Sequence, residues 1–296
     1  MLEQGLGEIM GIFPSDMAVA LKSYADERPM FIEEVRLRCG FPPTVLLSEG
    51  ECQFGCRAVL ETDLREVLER ATRASAHTVL EQMKNGYFVL KGGHRIGICG
   101  TAVRKDGATV SLKCVSSLSV RLAHAIEGQA NRVVASLLNQ QQFPNTLVVG
   151  LPGSGKTTLL RDMLRVLSDE HSFRVGVVDE RGEIAAMWQG RPQFNIGRHT
   201  DVLDGVPKSE GMMILLRGMR PQVLAVDEIT HRDDVSAMIE ATGCGVSLLA
   251  TAHGCSLKDL NRRPIYRDML AERVFQRLVV VGQKESRRSY AVEVLG

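Results

Sequence analysis

The pattern of apolar and polar positions changes near the middle of the chain. After residue 142, short apolar runs rich in β-branched residues alternate with segments of helical period. Strands that are covered by helices on both faces are continuously apolar, so this rhythm predicts a mostly parallel sheet flanked by helices. The predicted strands are 146–149, 173–178, 223–226, 246–250 and 274–281. The predicted helices are 157–167, 212–218, 233–242 and 257–271, the last interrupted by Pro264.

The first half of the chain follows a different pattern. Residues 60–74 carry apolar side chains on one helical face and Glu and Arg on the other, which predicts an amphipathic helix. Residues 86–103 are typical of a hairpin that turns at Gly92-Gly93, and a third strand is expected near 115–121. We therefore predict two domains, a smaller α+β domain over 1–142 and an α/β domain over 143–296.

The composition is that of an ordinary globular protein. Of its 296 residues, 44% are hydrophobic and 24% are charged, and with a net charge of +1 no direct binding of nucleic acid is expected. The seven cysteines include no C-x-x-C pair, which predicts reduced and buried thiols. The N-terminus does not resemble a signal peptide, and no run approaches the ~20 apolar residues of a membrane span. We expect a cytoplasmic protein, or one held peripherally at the inner face of a membrane through its partners.

Residues 150–157 follow an apolar run and precede a predicted helix, as a phosphate-binding loop does. Its glycines let successive backbone N–H groups point at one anion, and the helix adds the positive end of its dipole. Lys156 is expected to reach the β- and γ-phosphates, and the Thr157 hydroxyl to ligate Mg²⁺. The expected nucleotide-binding residues are Gly150, Leu151, Pro152, Gly153, Ser154, Gly155, Lys156, Thr157 and Thr158.

Two acids end the predicted strand 223–226, on the side of the sheet where the loop lies. Asp227 is expected to hold the Mg²⁺ shell, and Glu228 to polarise an attacking water. The alternative is a strand that merely ends in solvated acids. Because the pair follows a phosphate-binding loop by about seventy residues, the catalytic interpretation is preferred.

Two further strand ends carry polar side chains. Asp179 and Glu180 end the strand 173–178 and are expected to serve the metal and the attacking water, respectively. A capping role for Asp179 or Glu183 at a following helix is the alternative. His253 ends a third strand and is expected to donate a hydrogen bond to the γ-phosphate.

These motifs resemble, in order and spacing, those of the type II/type IV secretion and pilus-motor ATPases. The matching segments are the loop 150–157, the acidic boxes 179–183 and 223–228, the segment 251–253 and, less closely, 33–43 (EEVRLRCGFPP). The amino-acid sequences of these motifs are most similar to those of the sporulation branch of that superfamily. The resemblance implies a RecA-like P-loop NTPase domain at 143–296, a PAS-like domain at 1–142, ATP as the nucleotide with Mg²⁺, and a homohexamer.

In that family, arginines of the N-terminal domain complete the nucleotide site. Arg95, Arg104 and Arg121 occupy similar places in the predicted hairpin and third strand, so the resemblance makes them candidate sensors of transition-state charge. An arginine in this role contributes ~10³ to 10⁵ in rate. The alternative is that the hairpin simply displays solvated arginines.

The resemblance implies an ATP-hydrolysing motor of a secretion-like apparatus. In a sporulating bacterium it would be the mother-cell ATPase of a channel to the forespore, with membrane proteins of that channel as partners. The alternatives are a nucleic-acid translocase or recombinase, a nucleotide-dependent scaffold and a small-molecule kinase. A translocase requires a basic stripe with stacking aromatics. The charge of this chain is balanced, and aromatic residues are few: Trp188, four tyrosines and nine phenylalanines. A scaffold that hydrolyses little ATP is expected to lack the catalytic acid, so the presence of Glu228 is evidence against it. Glu228 is also evidence against a kinase, because an activated water competes with the phosphate acceptor.

Overall fold

The computed structural model describes residues 2–27, 32–47, 49–72, 86–105, 108–124, 126–140, 142–284 and 287–295. The chain forms two compact units, Met1–His124 and Ala125–Gly296. Residues 126–140, which the sequence analysis assigned to the smaller domain, belong to the second unit. Among the described residues, no helix has both the length and the apolar character needed to cross a membrane.

The first unit contains an antiparallel sheet with the strand order β3-β2-β1-β6-β5-β4. Its strands are β1 Ile32–Arg38, β2 Thr44–Leu47, β3 Gly50–Gln53, β4 Tyr87–Val89, β5 Arg95–Lys105 and β6 Ala108–Arg121. Its helices are α1 Leu2–Ile9, α2 Ser15–Glu27 and α3 Glu61–Thr72. The amphipathic helix, the hairpin and the third strand predicted from the sequence are thus confirmed. Gly92 and Gly93 form the turn between β4 and β5 with φ angles of 81° and 80°.

The sheet of the first unit buries one face. Alternate residues of the strands, such as Val35 and Leu37 in β1 and Ile96 and Ile98 in β5, are buried in a core that includes Leu64 of α3. The residues between them point to the other face, which carries Glu34, Arg36, Arg95 and Arg121. This alternation is typical of an antiparallel sheet that is covered on one side.

The second unit is an α/β layer structure around a seven-stranded sheet with the order β13-β12-β7-β11-β10-β8-β9. Every neighbouring pair is parallel except β12 and β13. Its strands are β7 Thr146–Gly150, β8 Val175–Asp179, β9 Thr200–Asp204, β10 Val223–Val226, β11 Ser247–His253, β12 Arg277–Lys284 and β13 Arg287–Val294. Its helices are α4 Asn131–Leu137, α5 Lys156–Arg165, α6 Lys208–Met219, α7 Arg232–Gly243, α8 Leu257–Leu260 and α9 Pro264–Ala271.

The five predicted strands of this unit are confirmed, and two further strands were not predicted. The central strands β7, β8 and β10 are buried at every position, as their apolar runs indicate. The unpredicted strands β9 and β13 lie at the two edges of the sheet and contain many polar residues. An edge strand is covered on fewer sides, so it lacks a continuous apolar run. Pro264 begins a new helix, as the predicted interruption requires.

The cysteines differ from the prediction in one respect. All seven are free thiols, but Cys52 is half-buried and the other six are exposed. The prediction that they are buried was therefore wrong. Most of them lie in turns or on strand positions that face away from the core, and composition alone does not reveal this.

Candidate functional site

The loop 150–157 connects a fully buried strand to a helix. β7 ends at Gly150 and α5 begins at Lys156. Gly155 adopts a φ of 94°, a conformation that L side chains rarely adopt. A Cβ at Gly150 would lie 2.4 Å from Oγ of Ser154, so the chain can fold back this tightly only without a side chain there. The glycines therefore shape a narrow concave loop at the N-terminus of a helix.

This loop contains an unpaired buried hydroxyl. Ser154 Oγ is the one buried side-chain nitrogen or oxygen that lacks a hydrogen-bond partner among the residues the structure describes. Buried polar atoms are nearly always paired, and an exception needs a physical explanation. A phosphate oxygen would supply the missing partner, so the loop fits the triphosphate that its sequence predicts.

Lys156 lies within this loop and contacts His253. Its Nζ is 3.1 Å from Nδ1 of His253 and donates a hydrogen bond to the carbonyl of Leu151 at 3.1 Å. Burial lowers the pKa of Lys156, while the charges of Asp227 and Glu228 oppose this shift. The structure thus brings together the lysine and the histidine that the sequence places 97 residues apart.

His253 also contacts Glu228. Its Nε2 lies 2.7 Å from Oε1 of Glu228, while its Nδ1 faces Lys156. In a neutral imidazole one nitrogen donates and the other accepts, so Nδ1 accepts from the ammonium and Nε2 donates to the carboxylate. Lys156, His253 and Glu228 therefore form a continuous chain of contacts across the ends of β7, β11 and β10.

Asp227 is held by two threonines. Thr157 Oγ1 donates to Oδ2 of Asp227 at 2.9 Å, and the Thr251 hydroxyl donates to the other carboxylate oxygen. Burial raises the pKa of Asp227, and the two hydroxyl bonds act in the opposite direction. A carboxylate beside a hydroxyl forms the hard oxygen donor set that Mg²⁺ prefers. The pair Thr157 and Asp227 therefore fits the predicted metal.

Glu228 has an unusual backbone conformation. Its φ is 48°, and its N–H donates to Thr251 Oγ1 at 2.8 Å. A residue of this type in the left-handed region costs of order 1 to 3 kcal/mol, and such conformations are enriched at functional sites. Its carboxylate pairs with Arg181 as well as with His253. Thr251 and Arg181 are residues of this site to which the sequence pattern gave no role. The available signal was a hydroxyl residue inside the apolar run 248–252 of β11, and the structure shows that Thr251 is fully buried.

Asp179 is a structural acid in this arrangement. Its carboxylate accepts hydrogen bonds from the backbone N–H groups of Glu183 and Ala185, both at 2.8 Å, and from those of Ile184 and Ala186. Burial raises the pKa of Asp179, and these N–H groups act to lower it. No helix follows Asp179 within residues 180–199, so the predicted cap at a following helix is not formed. The carboxylate instead holds the backbone of the loop after β8, which favours a structural role over the predicted metal role.

Glu180 and Arg161 also stabilise the loop that follows Asp179. The Glu180 carboxylate pairs with the buried Lys208. The Arg161 guanidinium, on the helix that follows the phosphate-binding loop, donates to the carbonyls of Ile184 at 2.9 Å and Glu183 at 3.0 Å. It lies 3.6 Å from the centre of the Phe194 ring, and burial lowers its pKa to about 10. No sequence motif indicated a role for Arg161.

The three candidate arginines of the first unit do not form one cluster. Arg121 of β6 lies opposite Arg95 of β5 on one side and Glu34 of β1 on the other. Arg121 pairs with the buried Glu34 at 3.8 Å, and Arg95 stacks on the Tyr87 ring at 3.4 Å. Arg104 is nine residues further along β5 (104 − 95), or about 30 Å at the usual rise per residue. Only Arg95 and Arg121 are neighbours.

The family model described as "Sporulation stage III, protein AA" matches residues 8–291. The chain belongs to this family. The Stage III sporulation protein AA of Bacillus subtilis (strain 168) is 37% identical over 276 residues, which cover 92% of this chain and 89% of that protein. The uncharacterized protein ycf45 of Porphyra purpurea is 30% identical over 289 residues, covering 97% of this chain and 47% of the relative.

Two solved structures share the fold of this member of the sporulation stage III protein AA family. The ATPase DotB of Legionella pneumophila has a TM-score of 0.62 at 15% identity, covering 96% of this chain and 82% of that one. The pilus retraction motor PilT with bound ADP has a TM-score of 0.63 at 15% identity, covering 94% and 83%, respectively. These two likenesses show the fold, a RecA-like α/β domain with a smaller α+β domain before it, which the chain shares with the ATPase DotB and the pilus retraction motor PilT.

Proposed function

We propose that this protein is an Mg²⁺-dependent ATPase that drives a secretion-like apparatus, as the mother-cell motor of a sporulation channel. The observation that carries the catalytic part is the contact chain from Lys156 through His253 to Glu228, beside the pair Thr157 and Asp227. Membership of the sporulation family supports the cellular part.

The residues of the site divide the chemistry among them. Lys156 and the loop N–H groups bind the phosphates, and Mg²⁺, held by Thr157 and Asp227, would neutralise charge on the β- and γ-phosphates. Glu228 accepts hydrogen bonds through its carboxylate and can orient an attacking water and receive its proton. His253 contacts both Lys156 and Glu228, so it couples the phosphate-binding cation to the base.

The mechanism assigns Glu228 to hydrolysis and not to binding, which a single substitution tests. In Glu228→Gln we expect ATP turnover to fall ~10² to 10³-fold, because removal of a positioned base typically costs this much, while ATP affinity changes little. Turnover is followed by phosphate release, and affinity by the fluorescence of an N-methylanthraniloyl ATP analogue. The exposed Glu240 provides the matched control, because Glu240→Gln makes the same change on the surface of α7.

Further measurements test the rest of the proposal. Wild-type turnover in Glu228→Gln, with turnover lost in Lys156→Ala, would remove Glu228 from the mechanism. Sedimentation velocity with a non-hydrolysable ATP analogue tests the homohexamer. Strong stimulation of turnover by single-stranded DNA would favour the translocase alternative, whereas stimulation by membranes that contain the channel proteins would support the secretion-like motor. The same membranes test the peripheral location.

A further inference from the structure

The C-terminal hairpin of the second unit extends alongside the phosphate-binding loop. β12 runs parallel to β7 and places Val281 opposite Gly150, the last residue of β7. β12 continues beyond that point to Lys284, and β13 returns antiparallel to it from Arg287. The residues near the tip of this hairpin are therefore level with the loop that follows Gly150. A Cβ at Gly150 would lie 3.1 Å from the carbonyl oxygen of Val281, which shows how closely the two segments approach.

Arg288, on the returning strand of this hairpin, lies against Gly155. A Cβ built on Gly155 would be 2.8 Å from Cζ and 2.9 Å from Nε of Arg288. The guanidinium thus covers the peptide unit that immediately precedes α5. In a phosphate-binding loop, this is the position at which backbone N–H groups and the helix dipole attract an anion.

The Arg288 guanidinium is positioned by a neighbouring tyrosine, and no acid among the residues that the structure describes neutralises it. Tyr290 follows two residues later, on the same face of β13, and contacts Arg288. The Tyr290 hydroxyl donates to Oε1 of Gln129 at 2.7 Å, which orients the tyrosine. Arg288 is exposed, and among the described part of the chain it takes part in no ion pair. A cation in this position can accept an anionic ligand as its partner.

We propose that Arg288 is a phosphate-binding residue of the nucleotide site, supplied by the C-terminal hairpin of the same subunit. This inference rests on the proposed nucleotide site and adds a second side-chain cation to Lys156. A guanidinium presents a planar pair of N–H donors that matches two oxygens of a phosphate group. The backbone near Gly155 cradles the α- and β-phosphates, so Arg288 recognises the part that ADP and ATP share.

This assignment predicts a specific pattern of affinities. In Arg288→Ala we expect the affinities for fluorescent ADP and ATP analogues to fall by about tenfold each, the typical effect of losing one hydrogen bond between charged groups. The inhibition constant of inorganic pyrophosphate, measured by competition with the fluorescent ADP, should rise by a similar factor, since pyrophosphate carries the phosphates without base or ribose. Arg288→Lys keeps the charge and loses the fork, so it should restore part of the affinity.

The matched control is Arg277→Ala, which removes the same charge from the opposite end of the hairpin, where Arg277 lies level with the start of β7. Thermal unfolding without nucleotide checks that each variant is folded, and Arg288→Gln replaces the alanine variant if the latter is not. An unchanged pyrophosphate affinity in a folded Arg288 variant overturns the assignment, and so does an equal loss in Arg277→Ala. If wild type and Lys156→Ala bind the ADP analogue equally poorly, the proposed nucleotide site itself is wrong.

Discussion

The two units of the chain carry their polar chemistry in different ways. In the second unit, charged and hydroxyl side chains at the strand ends contact one another, as Lys156, His253 and Glu228 do. In the first unit, Arg95 and Arg121 lie side by side on a sheet face, and the acid beside them is the buried Glu34. A site whose members contact one another can be inferred from one unit alone. Arg95 and Arg121, in contrast, can act in catalysis only if a charged group such as a phosphate is brought next to them.

The largest expected effect is on ATP turnover, and it distinguishes the neighbouring Arg95 and Arg121 from the distant Arg104. If Arg95 and Arg121 sense transition-state charge, the double variant Arg95→Ala/Arg121→Ala should lower ATP turnover about 10³-fold, the lower end for an arginine in this role. Arg104→Ala should lower it much less, since Arg104 lies about 30 Å further along the same strand. The measurement is steady-state phosphate release at saturating ATP, with unfolding by urea to show that the sheet is intact.

The control for this comparison is Arg38→Ala. Arg38 lies on the same strand as Glu34 but pairs with Glu51 instead. Near wild-type turnover in the double variant would show that neither Arg95 nor Arg121 takes part in catalysis. The difference between the two units would then be one between a catalytic surface and a purely structural one.

The sequence correctly predicted that Lys156, His253 and Glu228 lie together, because their positions are fixed by local rules. A glycine-rich loop between strand and helix determines where Lys156 and Thr157 lie, and parallel strands end at one edge, which brings Asp227, Glu228 and His253 to the same place. The same reasoning predicted the five central strands from their apolar runs.

The remaining features depend on pairings that a single sequence does not display. Edge strand β13 is mostly polar, so neither it nor Arg288 could be placed beside the loop before the hairpin was seen. Arg181 contacts Glu228 from another strand end 47 residues away. Asp179 resembled a metal ligand because its position at a strand end is the same, but backbone N–H groups occupy its carboxylate.

The next effect concerns stability in the second unit. Asp179→Ala leaves several buried backbone N–H groups without an acceptor, so we expect the free energy of unfolding to fall by about 3 kcal/mol, or roughly two powers of ten in the unfolding constant. Urea unfolding without nucleotide or Mg²⁺ measures this directly. Asp201→Ala is the control, since Asp201 is exposed on β9. Unaltered stability with a changed Mg²⁺ requirement for turnover would support the metal role instead.

The smallest effect tests an internal polar contact in the first unit. His94 is 1% exposed, its Nδ1 accepts from the Ala123 N–H at 3.1 Å, and its Nε2 lies 3.1 Å from Glu8. Protonation would place a second N–H opposite that of Ala123. Burial, the dominant cause, accordingly lowers the pKa of His94 below its usual 6.5, although Glu8 acts to raise it.

Because the folded pKa of His94 is lower than the unfolded one, the unfolded chain binds more protons between the two values. Stability of the first unit should therefore be fully present above about pH 6.5 and decrease as the pH falls below it, by at most about 1.4 kcal/mol per pH unit. Hydrogen exchange at pH 7.5 and 5.5 should show faster opening of β5 and β6 at the lower pH, and His94→Gln should reduce this difference. His171→Gln, at an exposed position of the second unit, should leave it unchanged. An equal response in β7 and β11 would mean that protonation acts on both units, and the pH dependence would not be a property of His94.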